Sequence, residues 1–486
     1  MARTPGPDEL PLVGSVWKFF RHPLRFMTAC QRAYGDVVRF SLFNQTAYLL
    51  SDPSDIGMVL SNDTTEYHKP TGRTTLQQTI GDGLLLNIGD NVWRDQRQRA
   101  QPAFGIQQIA QPCRIEAIIA YAEEMVAQWD DGAMIDVRAE TVPLTVKIIV
   151  DLMFGVEIDD RTVSTIEDQL DVIVGAQSTS TIAQSMLPGF LTRADAQYEE
   201  ALDELRAVLG EIISEHQEVH PIDRVRVDAD SNGGRNFLSI MLTAHDRGEV
   251  DPTFLRDELM TILLAGHDTT SLAVTYAIYL LAQHPDVVDR LYDETTAVLD
   301  DQGPRVSSDS GVSTKRHTSD IGTDVNTGAS TANESRATFD DVQRLNYTQQ
   351  VLDEAMRLYP PVPLIARVPQ ADVQLGGHRI PAGSLIFMSQ WVVHRDPRWY
   401  DDPETFDPDR MTRQQVNERP QYSHIPFGAG PRICIGKPLA ELEAKLILST
   451  IVQQYRFDGI ENSTLELNAD VTLSPDTPVR VGISKR

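Results

Sequence analysis

The segment His424–Lys445 reads HIPFGAGPRICIGKPLAELEAK. It places one cysteine, Cys434, two residues after an arginine and two before a glycine, within an apolar, glycine-rich run. Gly428, Gly430 and Gly436 permit tight turns and positive φ, so backbone N–H groups can converge on the sulfur. Pro438, with Leu439, Leu442 and Leu446 at helical spacing, predicts an amphipathic helix starting just after the cysteine. The sulfur then lies near a helix N-terminus, whose partial positive charge favours a thiolate. An isolated cysteine is usually a small buried hydrophobe, but this setting suits a metal ligand. Zinc does not fit, because no second Cys or His lies at ligand spacing nearby. A single thiolate suits haem iron, onto which it pushes electron density, favouring O–O cleavage.

The rest of the composition narrows the class. The chain has 486 residues and is 41% hydrophobic, enough for a large globular core. Asp and Glu number 70 against 43 Lys and Arg, a net charge of −27. Such a surface repels nucleic acid and anionic membranes. Only seven of the 43 basic residues are lysine. Acidic, lysine-poor chains suit concentrated salt, where screening removes self-repulsion, so a salt-loving source is expected. An acidic protein from a GC-rich genome is the plainer alternative. Three scattered cysteines, Cys30, Cys113 and Cys434, make no disulfide framework and point to the cytoplasm. The first residues, MARTPGPDELPLVGSVWKFF, carry no apolar run of signal or anchor length. Leu259–Ala282 has the length of a membrane span, but His267 and Asp268 at its centre argue for a helix buried in a soluble core.

Along the chain, VVRFSLF and TAYLLSD predict a strand pair behind a short helix. From Trp93 to about Leu209 the apolar spacing is helical, interrupted at Pro188-Gly189. Asp251-Pro252 predicts the N-cap of a long helix running to His284-Pro285, where DVVDRLYDETTAVL takes over. Residues 301–338 are rich in Ser, Thr, Gly and Asp and read as a disordered surface insertion within one domain spanning 1–486. After them come the helix TQQVLDEAMRLY, a PPVP turn, and strand-like pieces around VQLGG and SLIFMSQ. The fold class expected is mainly α with a minor β region.

FGAGPRICIG (427–436) resembles the haem-binding signature of the cytochrome P-450 family, Phe-x-x-Gly-x-Arg-x-Cys-x-Gly, at every fixed position. The resemblance implies that Cys434 is the axial ligand of haem b, that Phe427 packs near the sulfur, and that Arg432 pairs with a propionate. It also implies a haem held between a long distal helix and a proximal helix with its cysteine loop. Other matches extend it over nearly the whole chain. Glu354-Ala-Met-Arg357 is similar to the family's Glu-x-x-Arg, and Arg410 in FDPDRM to the arginine that completes this structural triad. Met411 stands where the family commonly has Phe. Trp93 and Arg97 resemble the family's Trp-x-x-x-Arg, which meets a propionate. Arg367 matches another such position, and His424 could serve likewise. Ala265-Gly-His-Asp-Thr-Thr270 resembles the family's acid–alcohol pair at a widened turn of the distal helix. By that likeness Thr269 is the hydroxyl that orders oxygen and its water, and Asp268 the carboxylate that passes protons. Without it, both threonines read as bonding back to carbonyls one turn earlier. His267 lies where the family varies.

The implied activity is insertion of one atom of molecular oxygen into an apolar organic substrate, by hydroxylation or epoxidation. Thr71–Leu86, Ile173–Phe190, the distal helix before Gly266, and Val362–Ile365 are the expected substrate contacts. A peroxygenase or an isomerase on the same fold would lack the Asp-Thr pair, and a haem-binding sensor would have no use for it. No flavin or iron–sulfur module remains, so electrons come from separate partners, a ferredoxin and its reductase. Arg413, Arg419 and Lys437 near the cysteine loop are the expected docking charges.

Overall fold

The computed structural model describes residues 4–8, 14–62, 66–70, 79–85, 90–176, 193–218, 236–299 and 337–486. The Pro188-Gly189 break, nearly all of the 301–338 tract and parts of two expected substrate segments lie outside them.

The minor β region comes first. Helices α1 (Val16–Arg21) and α2 (Pro23–Tyr34) lead into β1 (Val37–Leu42) and β2 (Gln45–Leu50), the expected strand pair. Three later strands join them: β3 (Tyr67–His68), β5 (Leu364–Pro369) and β8 (Leu385–Ser389). The sheet order is β1-β2-β8-β5-β3, with β2 and β8 parallel and the other pairs antiparallel. Alternate side chains of a strand face opposite sides, and the two faces fill two cores. Val38, Phe40 and Phe387 meet Phe19 of α1 and Phe26 of α2 on one side. Val37, Tyr48, Leu50, Ile386 and Met388 meet helix α3 (Pro53–Ser61) on the other.

The larger core is helical. Its elements are α4 (Asp90–Ala100), α5 (Pro112–Ala127), α6 (Val137–Ile149), α7 (Asp160–Ala176), α8 (Arg193–Glu218), α9 (Phe237–Asp246), α10 (Pro252–Leu281), α11 (Pro285–Leu299), α12 (Asn346–Leu358) and α13 (Lys437–Gln454), helices of a turn or so being left unnumbered. Short strand β4 (Met134–Asp136) precedes α6 and pairs with β12 (Arg480–Lys485), which also pairs with β9 (Tyr455–Ile460), while β6 (Val373–Leu375) with β7 (His378–Ile380) and β10 (Leu467–Ala469) with β11 (Leu473–Pro475) form two small hairpins. Asp251 caps α10 as expected, accepting from Thr253 N and Phe254 N, both at 2.9 Å. Among the described residues no helix is long and apolar enough to cross a membrane. Burial of α10 on nearly every side explains its apolar length. The amphipathic reading of α13 needs correction. From Leu442 to Val452 every residue is buried, Glu443 and Lys445 included.

The scaffold beneath the cysteine loop is a buried charge network on α12. Arg357 donates to Glu354 through Nε (2.7 Å) and Nη2 (2.8 Å), a planar two-pronged pair. Arg410 reaches the same carboxylate at 3.0 Å, completing the expected triad. The remaining guanidinium donors go to carbonyls: Arg357 to His394, Pro403 and Thr405, Arg410 to Asp401 and Thr405. Arg357 also lies 4.9 Å from the Tyr400 ring centroid. Met411, in place of Phe, is buried and accepts from Arg419 through its sulfur. Arg357 therefore ties α12 to the segment 394–411, which leads into the cysteine loop. Removing one partner of a buried pair strands the other charge at a cost of about 3–5 kcal/mol. Arg357→Ala should lower unfolding stability in guanidinium titrations by that amount and reduce haem loading, and Arg357→Lys should recover little because it cannot form the two-pronged pair. A loss below about 1 kcal/mol, the scale of a surface ion pair, would show that the triad is not what joins these segments.

Candidate active site

The loop that carries Cys434 is shaped by backbone bonds and two glycines. Cys434 N donates to Phe427 O at 3.0 Å, closing the loop on itself. Gly428 (φ 70°) and Gly430 (φ 69°) adopt the left-handed conformation. At Gly430 a Cβ would lie 1.8 Å from the Leu60 carbonyl of α3, so that position demands glycine on two grounds. Gly436 differs from expectation. Its φ is −80°, it caps α13, and a Cβ there would make ordinary 3.8 Å contact with the Cys434 sulfur.

Cys434 is exposed yet lies deep among protein atoms, so it lines an internal recess. Burial pushes the thiol up, while the Gly436 N–H, Arg97 and the Lys437 N–H pull it down. Burial wins. The helix end that should favour a thiolate is present, but by itself it does not overcome desolvation. A cation at the sulfur reverses that balance. Phe427 is half-buried beside the loop, its ring 5.4 Å from Lys437 Nζ.

Around the recess the structure gathers cations. Trp93 of α4 is buried, with the Arg432 guanidinium 4.3 Å and that of Arg97 5.7 Å from its ring. Arg367 of β5 is buried, donates to Ala366 O at 2.9 Å, and is pushed down to about 10 by burial and then by Arg432. Sequence reading missed a fourth cation. Lys69 follows β3, donates to Leu85 O, and falls to about 7, chiefly through burial and then through Arg367, Arg432 and Arg97. A lone lysine in a loop carries no spacing signal. Its position is set by β3 pairing with β5, which brings it beside Arg367. Among the described residues no carboxylate opposes burial at Arg97 or Arg367. His424 does not join this group. It is half-buried beside His394, is pushed down to about 3 by the removal of water and then by Arg419, and faces the Glu354 network.

The distal segment lies on α10, where the helix stays regular α from 252 to 281 and the widened turn expected from the resemblance is absent. Thr269 Oγ1 donates to Ala265 O at 2.9 Å, bonding back one turn. Gly266 allows close approach of α6, since a Cβ would lie 2.8 Å from Ile149 Cδ1. His267 is buried, bonded through Nδ1 to Leu263 O, and kept neutral by burial. Asp268 is buried and accepts from Arg138 Nη2 at 2.9 Å, while its other oxygen is buried without a hydrogen-bond partner among the described residues. Arg138, at the start of α6, is the second residue the sequence did not disclose, being 130 positions away. Burial opposes its charge, but the Asp268 pair outweighs burial and raises it.

The docking charges need one correction. Arg413 is exposed and Lys437 half-exposed, but Arg419 turns inward, donating to Arg410 O at 2.8 Å and lying 4.6 Å from the Tyr400 ring.

A cysteine on a glycine turn, a carbonyl-bonded threonine on a buried helix and four gathered cations can now be set beside known proteins. The family model described as Cytochrome P450 matches residues 4–310 and 324–480. The chain belongs to that family. Among its relatives is cyclooctatin synthase of Streptomyces melanosporofaciens, 29% identical over 97% of this chain and 93% of that protein. Cyclooctat-9-en-7-ol 5-monooxygenase of the same organism is 28% identical, covering 94% of this chain and 90% of that protein. Pentalenene oxygenase of Streptomyces avermitilis is 27% identical, over 98% and 92%. The crystal structure of the cytochrome P450DA haem domain superimposes with a TM-score of 0.80 at 23% identity, over 100% of this chain and 98% of that one, and shows the same fold. The protein is a cytochrome P450 monooxygenase, mainly α with a minor β region, whose cofactor is haem b on a cysteine thiolate.

The residues present fit that cofactor. Cys434 offers a soft sulfur to an internal recess, and the cations around it carry the sign that two propionates need. If Lys69 belongs to that set, Lys69→Met should leave the fold intact, because it removes like-charge repulsion, yet speed haem transfer to apomyoglobin by about tenfold, the effect of roughly 1.4 kcal/mol. An unchanged transfer rate would remove Lys69 from the site.

Proposed function

We propose that residues 1–486 form one haem domain that oxygenates a cyclic, terpene-like substrate, with electrons from a separate ferredoxin and reductase. The carrying observation is the uncovered face of α10. In the middle of a largely buried helix, Ala265 is exposed and Thr269 half-buried one turn apart, and the neighbouring Asp268 carboxylate is buried and paired through Oδ1 with Arg138. Ile365, on the other face of β5 from Leu364 and Ala366, is half-buried beside Gly428 of the cysteine loop and adds apolar surface near the site. Such a wall excludes charge and orients hydrocarbon by shape. The names of the Streptomyces relatives, with cyclooctat-9-en-7-ol and pentalenene in them, support the substrate class.

Bound at Cys434, the haem supplies oxygen activation with two electrons and two protons. Arg432, Arg97 with Trp93, Arg367 and Lys69 hold its propionates, and Phe427 shields the sulfur. Thr269 orders water at the exposed face. Asp268 carries the proton at Oδ2, its unpartnered oxygen, while Arg138 grips Oδ1. Arg138 also feels Asp171 of α7, and Glu167 there is raised to about 7 by burial and then by Asp171 and Asp168. A carboxyl that holds a proton near neutral pH suits the outer end of such a relay. We place the enzyme in the cytoplasm and read its −27 charge as adaptation to concentrated salt.

The test is a panel of cyclic terpenes and terpene alcohols, followed first by the Soret shift on binding and then by product formation with ferredoxin and reductase. At least one should shift the band and be oxygenated, and Asp268→Asn should slow product by about 100-fold, the usual size of general acid–base catalysis, with substrate binding unchanged. A panel without a single shift would refute the substrate class, and full activity in Asp268→Asn would remove it from proton delivery. For the electron donor, reversing both Arg413 and Lys437 to Glu should slow reduction by ferredoxin at least tenfold at low salt without altering substrate binding. Equal reduction rates would move the docking face elsewhere.

A further inference from the structure

Helix α6 lays one stripe of side chains along the distal helix. Arg138, Thr141, Thr145 and Ile149, at helical spacing, meet Asp268, Thr275, His267 and Gly266 of α10 in turn. Three of these contacts are of ordinary kinds: an ion pair, two hydroxyls at 3.1 Å, and an isoleucine over a glycine. The contact of Thr145 is different. Its side chain is 1% exposed, and Oγ1 lies 2.9 Å from His267 O and 3.0 Å from Val142 O of its own helix. The shorter bond reaches across to the backbone of the neighbouring helix.

That carbonyl already has a partner. In a regular α-helix His267 O accepts from the Ser271 N–H, so Thr145 brings a second donor to a buried acceptor that is already satisfied. The same excess recurs in the surrounding turns. His267 Nδ1 donates to Leu263 O, Thr269 Oγ1 to Ala265 O and Ser271 Oγ to Asp268 O, each at 2.9 Å. Four carbonyls between residues 263 and 268 therefore hold a side-chain donor in reserve. Such donors loosen a helix, because a carbonyl that parts from its backbone N–H is not left bare. Gly266 weakens the same turn. Three of the four donors belong to α10 and shift with it if it unwinds. Thr145 stands on α6 and keeps its place.

We propose that Thr145 is a positioning residue for the distal helix: it holds His267 O when the bond from Ser271 N opens, so that the turn through Asp268 and Thr269 unwinds without stranding a buried carbonyl. This rests on the reading of Thr269 as the group that orders water. In the closed helix the Thr269 hydroxyl is committed to Ala265 O, and unwinding releases it to the uncovered face. Asp268 stays tethered meanwhile, because Arg138 grips it from the same helix α6. A plain brace between α6 and α10 would use the same atoms, but the two roles differ in sign. A brace stabilises the closed helix, and its removal speeds opening. A reserve donor stabilises the opened turn, and its removal slows opening, since the freed carbonyl then lacks any partner.

Amide hydrogen exchange reads that sign directly. It is measured on the haem-loaded enzyme without substrate or electron donor, so the outcome does not depend on turnover. In Thr145→Val the Ser271 amide should exchange at least tenfold more slowly than in the parent, and Thr145→Ser, which keeps the hydroxyl, should restore the parent rate. Thr145→Ala, which removes the donor without demanding space, should show the same slowing and serves if the valine variant does not fold. Thr141→Val removes only the hydroxyl pair with Thr275 and should not slow Ser271. Unchanged or faster exchange at Ser271 in the variants without the Thr145 hydroxyl overturns the proposal. Equal slowing in Thr141→Val also overturns it, by showing a general tightening of α6 on α10. Failure of the water-ordering reading would show elsewhere, as full product formation in Thr269→Ala.

Discussion

Desolvating charge is the constraint on which this protein turns. A sulfur and four cations are held around one recess, and burial drives the Cys434 thiol up and Lys69, Arg97 and Arg367 down. Folding gathers like charges there, and at Arg97 and Arg367 no carboxylate among the described residues offsets them. A group with two carboxylates and a metal ion relieves both problems, by pairing with the cations and taking the sulfur as thiolate. Because that group binds the folded chain and not the unfolded one, its affinity adds to stability. The surrounding architecture serves this end. Gly430 lets the loop touch α3, Gly436 and Lys437 turn their N–H groups to the sulfur, and α13 is enclosed from Leu442 to Val452, which anchors the helix behind that turn.

Two other buried charge networks differ in how fully they are satisfied, and the difference separates scaffold from working groups. Glu354, Arg357 and Arg410 are enclosed, with Arg357 also bonded to three backbone carbonyls. Such a network holds one geometry and has no reason to exchange protons. Asp268 is bound by Arg138 on one oxygen and left bare on the other, at the margin of an uncovered helix face. An unfinished hydrogen-bond set costs stability and leaves a proton-accepting atom ready for use. Thr269 is intermediate, its hydroxyl satisfied by Ala265 while its surface stays open.

What was legible in the sequence is what local physics and short spacing encode. The cysteine loop, the Asp251 cap, the strand pair, Glu354 with Arg357 one helical turn on, and Trp93 with Arg97 all depend on residues close in the chain, and the structure places each in its expected element. Tertiary structure alone decided the rest. Lys69 reaches Arg367 because β3 pairs with β5, and Arg138 meets Asp268 because α6 packs against α10. His424 and Arg419 turn toward the Glu354 network, and α13 is enclosed where its leucine spacing suggested one wet face. Each of these outcomes depends on which segments meet across hundreds of residues and on how much water the meeting removes. Burial, the largest influence on nearly every shifted group in the site, is a property of the assembled chain and has no counterpart in any short stretch of it.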